Sequence, residues 1–283
     1  MIWHTGQKKI NFSNKGMIMG ILNVTPDSFS DSGLFLDPNK AVSQALTMIA
    51  DGAEIIDIGG ESTRPGAQPI SHEEELNRTL PVIKALRPQT KALISIDTSK
   101  HEVAIQAIQA GADIINDVTG FTKPEMVEIA KNTTAGLICM HMQGTPSTMQ
   151  NAPTYDNVLK EIRAFFVQQL ALLTKSGIAP ERICFDPGIG FGKRLEDNLA
   201  ILNNLEQLRV DERPMLMGLS RKSFIAQLLE DDDLRHRDAP TVALTALMAQ
   251  SGANIHRVHD VKENAQSLRM MEAILNISPK VTP

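Results

Sequence analysis

A closed parallel α/β barrel of the (β/α)8 type is the fold this sequence predicts, and two observations predict it. Eight short apolar runs, at 17–23, 54–59, 93–97, 114–117, 136–141, 183–186, 215–220 and 255–259, alternate with stretches of helical character. Nearly every run also ends in residues able to do chemistry: Asn23, Asp57 with Glu61, Asp97, Asn116 with Asp117, His141, Asp186, Ser220 and His259. In such a barrel the carboxyl ends of the strands form the active face. A purely structural protein has little reason to set an acid, amide or histidine there on strand after strand, so the chain reads as an enzyme. With 283 residues and 42% hydrophobic content it can bury one large core, and a single barrel of roughly 250 residues fits that length. Residues 1–283 are expected to form one TIM-barrel domain.

Taken in order, residues 1–16 read as an entry segment, a strand pair turning around residues 6–8 and closing the barrel bottom. The first barrel strand feeds a long polar loop, 23–38. A helix over 39–51 then carries Ala41, Val42, Ala45, Leu46 and Ile49 at helical spacing. The second strand leads into another long loop, 59–70. Ser71 caps the next helix, with Glu74 three residues on as a capping box. Further helices are predicted near 100–110, 124–132, 155–176, 197–209, 223–229, 240–250 and 261–275. Gly52, Gly111 and Gly252 each stand where a helix ends and the chain turns into a strand. No linker, composition break or repeat divides the chain.

Net charge of −5 and a pI near 5.8 argue against a nucleic-acid partner, which favours a basic surface. Small anionic substrates remain open, because local Lys and Arg groups bind them whatever the overall charge. Cys139 and Cys184 fall inside predicted strands and read as core residues, so a reducing compartment is expected. The N-terminal residues lack the apolar region of a signal peptide. No apolar run approaches the roughly 20 residues needed to cross a bilayer. A soluble, cytoplasmic protein without a membrane partner is the expectation.

Several loops carry the candidate chemistry. LNVTPDSFSD (22–31) places Asn23 at a rigid strand end suited to a metal-water shell or a phosphate, and puts Phe29 in a polar stretch where it would cover a ligand. GGESTRPG (59–66) offers Arg64, which can clamp an anion with paired hydrogen bonds. Asp97, Asn116 and Asp186 end three strands and could meet one heterocycle edge-on. A ring edge presenting N–H donors wants carboxylate and amide oxygens opposite. Asp97, followed by Thr98 and Ser99, could instead cap its helix. DPGIGFGK (186–193) has neither dinucleotide-fingerprint nor P-loop spacing, and its alternate glycines let backbone approach a flat ligand. SRKS (220–223) opens a helix whose N–H groups form an anion site, with Lys222 adding charge. Arg257 and His259, one residue apart on a strand, share a face, whereas His256 faces away and is structural. Residues 231–233, all Asp, read as a solvated helix end.

Seven of these segments, in this order, resemble the dihydropteroate synthase family: LNVTPDSFS (22–30), GGESTRPG (59–66), DTS (97–99), NDV (116–118), DPGIGFGK (186–193), SRKS (220–223) and RVHDV (257–261). The resemblance runs from about residue 17 to 275. It implies joining of 6-hydroxymethyl-7,8-dihydropterin diphosphate to p-aminobenzoate with Mg²⁺, in folate biosynthesis, and a homodimer formed through the later helices. By the same resemblance Asp97, Asn116, Asp186 and Lys222 hold the pterin, with Arg257 stacked over its ring and Met140 and Phe191 beside it. Asn23 would serve the Mg²⁺–diphosphate site together with Thr63, Arg64, Arg257 and His259. Phe29, Thr63, Arg64, Pro65, Lys222 and Ser223 would surround p-aminobenzoate, the family's sulfonamide site. Asp97, Asp31, Lys222 and Arg64 are the expected catalytic groups. The family pattern leads one to expect a basic residue where Gln143 stands. Two other readings are a pterin methyltransferase serving a corrinoid, which has no need of SRKS or of the Phe29 and Arg64 loops, and a non-catalytic pterin-binding protein.

Overall fold

The computed structural model describes residues 1–6, 8–13, 15–25, 37–62, 67–145, 148–149 and 153–276. Eight strands form one parallel sheet: β3 (Met17–Asn23), β4 (Ile55–Gly59), β5 (Leu93–Asp97), β6 (Ile114–Asp117), β7 (Gly136–Met140), β8 (Ile183–Asp186), β9 (Leu216–Met217) and β10 (Ile255–Val258). Their order is β8-β7-β6-β5-β4-β3-β10-β9. A parallel bridge from Phe185 to Met215 joins the two ends and closes the barrel. Ahead of it, β1 (Ile2–Thr5) and β2 (Lys8–Asn11) pair antiparallel, the strand pair expected around residues 6–8.

The helices between the strands are α1 (Pro38–Asp51), α2 (His72–Leu86), α3 (His101–Gln109), α4 (Pro124–Lys131), α5 (Val158–Lys175), α6 (Leu195–Asn203), α7 (Ser223–Leu229), α8 (Asp238–Gln250) and α9 (Val261–Leu275). Local chemistry sets several of their ends. Asp37, Ser71, Asn157 and Asp260 accept backbone N–H groups as N-caps. At Ser71 the expected box is half formed: Ser71 Oγ takes the Glu74 N–H, but the Glu74 carboxylate accepts from Arg78 Nε at 2.9 Å instead. Gly52, Gly111 and Gly252 all adopt positive φ, at 117°, 111° and 90°, as their turning role requires.

Three boundaries differ from the pattern-based expectation. The helix predicted over 197–209 begins at Leu195, because the Asp197 carboxylate takes the Arg194 backbone N–H. It ends at Asn203, where Asn204 turns its side-chain N–H onto the Ala200 carbonyl and a 3-10 turn, Leu205–Leu208, follows. The strand predicted over 215–220 pairs only at Leu216 and Met217, since β9 has one partner, β10, and the Gly218 backbone already leads towards α7. The helix predicted from residue 155 begins at Val158, after the Asn157 cap.

Side-chain alternation divides the interior into two layers. Met17, Met19, Ile55, Leu93, Ile114, Ile138, Cys184, Leu216 and Ile255 fill the lower barrel with Trp3 and Phe12 from the N-terminal hairpin. Trp3 is fully buried and donates Nε1–H to the Arg182 carbonyl at 2.8 Å. Gly136 has no side chain because Thr5 and Trp3 occupy that space, at 2.6 and 3.1 Å from where a Cβ would stand. The opposite strand faces pack outward against the helices through Ile56, Ile58, Ile94, Ile96, Ile115, Leu137, Cys139 and Phe185. Both cysteines are buried, Cys184 inside the barrel and Cys139 against the helices, and burial pushes both thiols well above their ordinary range. Bottom filled by a plug and sides by helices, the barrel keeps its polar interior residues for the carboxyl end.

Candidate active site

The interior parity that buries Ile55, Leu93, Ile114 and Ile255 continues upward to polar residues. Parallel register sets Asp57 opposite Ser95, Gly59 opposite Asp97, Asp97 opposite Asn116 and Met140 opposite Asp186. Arg257, two residues above Ile255, reaches across this level. Its Nε donates to Asp57 Oδ2 at 2.6 Å and its Nη2 to Asp97 Oδ2 at 2.7 Å. Asn116 Nδ2 donates to the same Asp57 oxygen at 3.1 Å. One guanidinium and one amide thus fix two carboxylates in a buried, charge-assisted fork.

That fork leaves acceptors over. Asp57 Oδ1, Asp97 Oδ1 and Ser95 Oγ are buried without a hydrogen-bond partner among the described residues. Each unsatisfied buried group costs about 1–3 kcal/mol, so the site is built for donors that the described residues do not supply. Burial pushes the Asp97 carboxyl up to about 7, with Arg257 pulling against it and Asp57 adding to it. Burial likewise works against charge on Arg257, but Asp57 and Asp97 hold its guanidinium more firmly protonated than usual. Asp97 does not cap a helix: its Oδ2 is held by Arg257, and Thr98 Oγ1 takes the Lys100 N–H instead.

The segment 186–193 forms the adjoining wall. Asp186 Oδ1 accepts the Gly188 N–H at 2.7 Å. Burial raises the Asp186 carboxyl, opposed by that bond and by Lys222, Arg257 and Lys193. Gly188 and Gly192 lie so close to the neighbouring chain that a Cβ would fall 2.0 Å from the His141 carbonyl oxygen and 2.3 Å from that of Gln143. Lys222 does not extend into solvent beyond the α7 N-terminus. Its ammonium lies 4.1 Å from the Phe191 ring centroid, a cation–π contact. Burial and the nearby Arg257 lower it to about 8, while Asp186 and Asp97 hold it up. Lys222 is the N-cap residue of α7, and Ser223 stands exposed at that helix start. The other cation of this motif, Arg221, is bound to Asp238 through two bonds of 2.7 and 2.9 Å.

Asn23 and Asp97 flank Gly59, where a Cβ would meet Asp97 Oδ2 at 3.7 Å and Asn23 Oδ1 at 3.8 Å. An amide oxygen beside a carboxylate suits a hard cation such as Mg²⁺, which takes one or two protein oxygens and completes its shell with phosphate and water. Among the described residues, no cluster of three His, Cys, Asp or Glu could hold a metal alone. His259 sits at the end of β10, its backbone N–H and Nδ1 both engaged with Ser220 Oγ, at 3.1 and 2.9 Å. His256, on the opposite face, is buried, and burial lowers it to about 4. Gln143 forms two hydrogen bonds with the Thr154 backbone, 2.8 and 2.9 Å long, and so ties its own loop. Asp231 and Asp233 accept from His236 and Arg235 at the surface, as expected of a solvated turn. Phe29, Asp31, Thr63, Arg64 and Pro65 lie outside the described residues.

The structure therefore brings together Asp97, Asn116, Asp186, Lys222, Arg257, Met140 and Phe191, with Asn23 and His259 at the rim. It adds residues that sequence reasoning passed over. Asp57, the hub of the fork, stood among the polar strand ends in the sequence but without a role in the site, although it lies two residues from Ile55 in an otherwise apolar run. Lys193 is only 3% exposed despite its charge, and nothing in its sequence context signals that. Nor did any signal mark Glu75, fully buried and bound to Lys100 Nζ at 2.6 Å, which also holds Glu61 at 2.7 Å.

Residues 19–259 match the pterin binding enzyme family. The chain is 47% identical over 270 residues to a dihydropteroate synthase of Synechocystis, covering 95% of this chain and 93% of that protein. It is also 47% identical over 259 residues to that of Escherichia coli, covering 92% of each. The chain belongs to the dihydropteroate synthase family of pterin-binding enzymes. Solved structures agree. The Yersinia pestis dihydropteroate synthase with a sulfonamide drug complex matches with a TM-score of 0.91 at 41% identity, covering 97% of this chain and 99% of that one. The Burkholderia cenocepacia enzyme complexed with 7,8-dihydropteroate matches with a TM-score of 0.88 at 40% identity, covering 97% and 96%. These relatives confirm the barrel and the transferase class and set aside the methyltransferase reading.

Proposed function

We propose that the chain condenses 6-hydroxymethyl-7,8-dihydropterin diphosphate with p-aminobenzoate, giving 7,8-dihydropteroate and pyrophosphate. The observation that carries this is the ring of buried acceptors, Asp97 with its unpartnered Oδ1, Asn116 and Asp186, at one level inside a closed barrel. A dihydropterin edge supplies the missing N–H donors. Met140 and Phe191 provide flat walls, Lys222 reaches the ring from the Phe191 side, and Arg257 stacks above it. The Xanthomonas albilineans relative with 4-aminobenzoic acid, of TM-score 0.89 and 40% identity, supports a p-aminobenzoate site formed here by Phe29, Thr63, Arg64, Pro65, Lys222 and Ser223. Asn23, Thr63, Arg64, Arg257 and His259 take the diphosphate, and Asn23 holds Mg²⁺ beside it.

The reaction is a largely dissociative substitution. The bond from the pterin methylene to the diphosphate oxygen breaks, and its electron pair leaves with pyrophosphate. Cationic character on the methylene is offset by Asp97 and Asp31 until the aniline nitrogen donates its lone pair and then loses a proton. Mg²⁺, when bound, offsets charge on the departing pyrophosphate. Arg257 and the guanidinium of Arg64 add fixed positive charge where that negative charge develops. No enzyme group bonds to the pterin, so a trapped pterin–protein adduct would refute this route.

The deciding experiment measures pyrophosphate release from the dihydropterin diphosphate and Mg²⁺, with and without p-aminobenzoate. Turnover that depends on p-aminobenzoate and yields dihydropteroate supports the reading. Pterin binding without release under either condition favours a non-catalytic binding protein.

A cytoplasmic homodimer fits the remaining observations. Leu247 on α8 and Met270, Ile274 and Leu275 on α9 are about half exposed or more and give the later helices an apolar outer face. Among the described residues, no helix is long and apolar enough to cross a membrane. Sedimentation showing a monomer at working concentration would refute the dimer.

A further inference from the structure

Lys193 closes the DPGIGFGK segment, yet it is 3% exposed. Among the described residues, its ammonium contacts no carboxylate directly. Instead Nζ offers its three N–H groups to four acceptors: the Gly188 carbonyl at 2.9 Å and the Phe191 carbonyl at 3.0 Å take one each, and the third is shared between His141 Nδ1 at 3.1 Å and the His141 carbonyl at 3.3 Å. Burial and the Lys193 charge keep His141 neutral, its pKa lowered to about 3, so Nδ1 is the acceptor. The bonds come from two loops: His141 follows β7, while Gly188 and Phe191 follow β8. Tyr155 adds a third tie, its hydroxyl donating to the Gly192 carbonyl at 2.7 Å.

Burying an ammonium costs several kcal/mol, and an apolar chain of similar length would avoid that cost if packing were all the position needed. The bonded carbonyls explain the charge. Those of Gly188 and Phe191 belong to a backbone folded through positive φ at Gly188, Gly190 and Gly192, at 67°, 79° and 59°, and so outside any helix or strand ladder. Two of the residues this backbone presents are Asp186, held by the Gly188 N–H, and Phe191, under Lys222.

We propose that Lys193 is a positioning residue of the pterin site, a buried ammonium that ties the β7 and β8 loops together so that Asp186 and Phe191 face the pterin as one unit. The inference deepens the function proposed above and rests on it. Lys193 acts in a second way as well. Its charge, with those of Lys222 and Arg257, favours the ionised form of Asp186 against burial. The charged or titratable groups around it are Asp186, Lys222, Asp197 and His141. Burial lowers Lys193 itself to about 7, so its charge is present on the acid side of neutrality, and while present it opposes the rise that burial imposes on the Asp186 carboxyl.

The test compares wild type with Lys193→Met, following pterin diphosphate affinity, KM for each substrate, kcat and thermal unfolding. Pterin affinity is expected to fall at least about tenfold, the size of one lost hydrogen bond to a charged group. The acid limb of pterin binding is expected to move to higher pH, a shift that loss of packing alone does not produce. A folded variant with unchanged pterin affinity and an unmoved acid limb would overturn the proposal. If Lys193→Met fails to fold, Lys193→Gln, which keeps N–H donors without the charge, carries the same two readouts. Wild type that binds no pterin, or binds it and makes no dihydropteroate, defeats the functional reading instead, whatever the variants do.

Discussion

Asp97→Asn isolates what the Asp97 charge contributes, because the structure leaves the surroundings of that charge intact. Arg257 keeps its bond to Asp57 at 2.6 Å when the 2.7 Å bond to Asp97 weakens, so the guanidinium is not stranded. Asparagine retains one acceptor oxygen for either Arg257 or the ring. Pterin affinity is therefore expected to fall by less than about tenfold, below the 1.5–3 kcal/mol typical of a whole hydrogen bond to a charged group. The transition state differs, because positive charge then develops on the methylene and the amide offers no charge to meet it. Removing one preorganised electrostatic group costs about 2.7–4 kcal/mol, or 10²–10³ in kcat. Wild type supplies an internal control. With Asp97 near 7, its carboxylate is present above that pH and lost as pH falls below it. The wild-type advantage should be large at about pH 8 and shrink towards pH 6. Pyrophosphate release gives kcat, and equilibrium pterin binding gives affinity. Equal losses in the two, or an advantage that does not narrow in acid, would reduce Asp97 to a pterin-recognition group.

Other outcomes follow from the same geometry. The kcat/KM for the pterin diphosphate should be bell-shaped, with an acid limb near pH 7 from Asp97 and a basic limb between about pH 7 and 8 as Lys193 and Lys222 deprotonate. The two limbs belong to an interacting cluster, and a flat profile from pH 6 to 9 would contradict both assignments. Lys100→Met should destabilise the fold by about 3–5 kcal/mol in urea unfolding, because it strands the Glu75 carboxylate, which is 0% exposed. A change below about 1 kcal/mol would refute the claim that Lys100 compensates the buried Glu75 carboxylate. Gly188→Ala should cost about 1–3 kcal/mol from its left-handed backbone alone, with more from a Cβ 2.0 Å from the His141 carbonyl oxygen. Pterin binding at wild-type strength in that variant would show that the two loops need not lie so close.

The architecture was readable because it depends on parity and local caps. Ile55, Asp57 and Gly59 share one face, as do Leu93, Ser95 and Asp97, and a hydrophobic plug at one end makes the polar residues of the same parity face a cavity. Helix starts at Asp260 and Ser71 were equally local, each decided by one side chain and one N–H group. Boundaries slipped where local signals met a tertiary condition. Whether residues 215–220 form a long strand depends on partners on both sides, and β9 finds only β10.

The site was half legible for a related reason. Strand ends announce Asp97, Asn116 and Asp186, but the Arg257 fork spans 160 and 200 residues of sequence. It exists because barrel closure sets β10 beside β3, Arg257 opposite Met19, with β4 and β5 next in line. No window of sequence contains that adjacency. Lys193 and Glu75 fail to show for a deeper cause: charge in a sequence is read as exposure, and both are charges whose partners are backbone carbonyls or a distant lysine. A charged residue beside a run of positive-φ glycines therefore merits a different prior. Such glycines turn carbonyls away from any ladder, and a carbonyl with two lone pairs can take a neighbouring lysine as well as a nearby N–H group, as Gly188 takes Lys193 Nζ and the Phe191 N–H. On that argument Lys193 belongs to the site as firmly as Asp186, although it never faces the substrate.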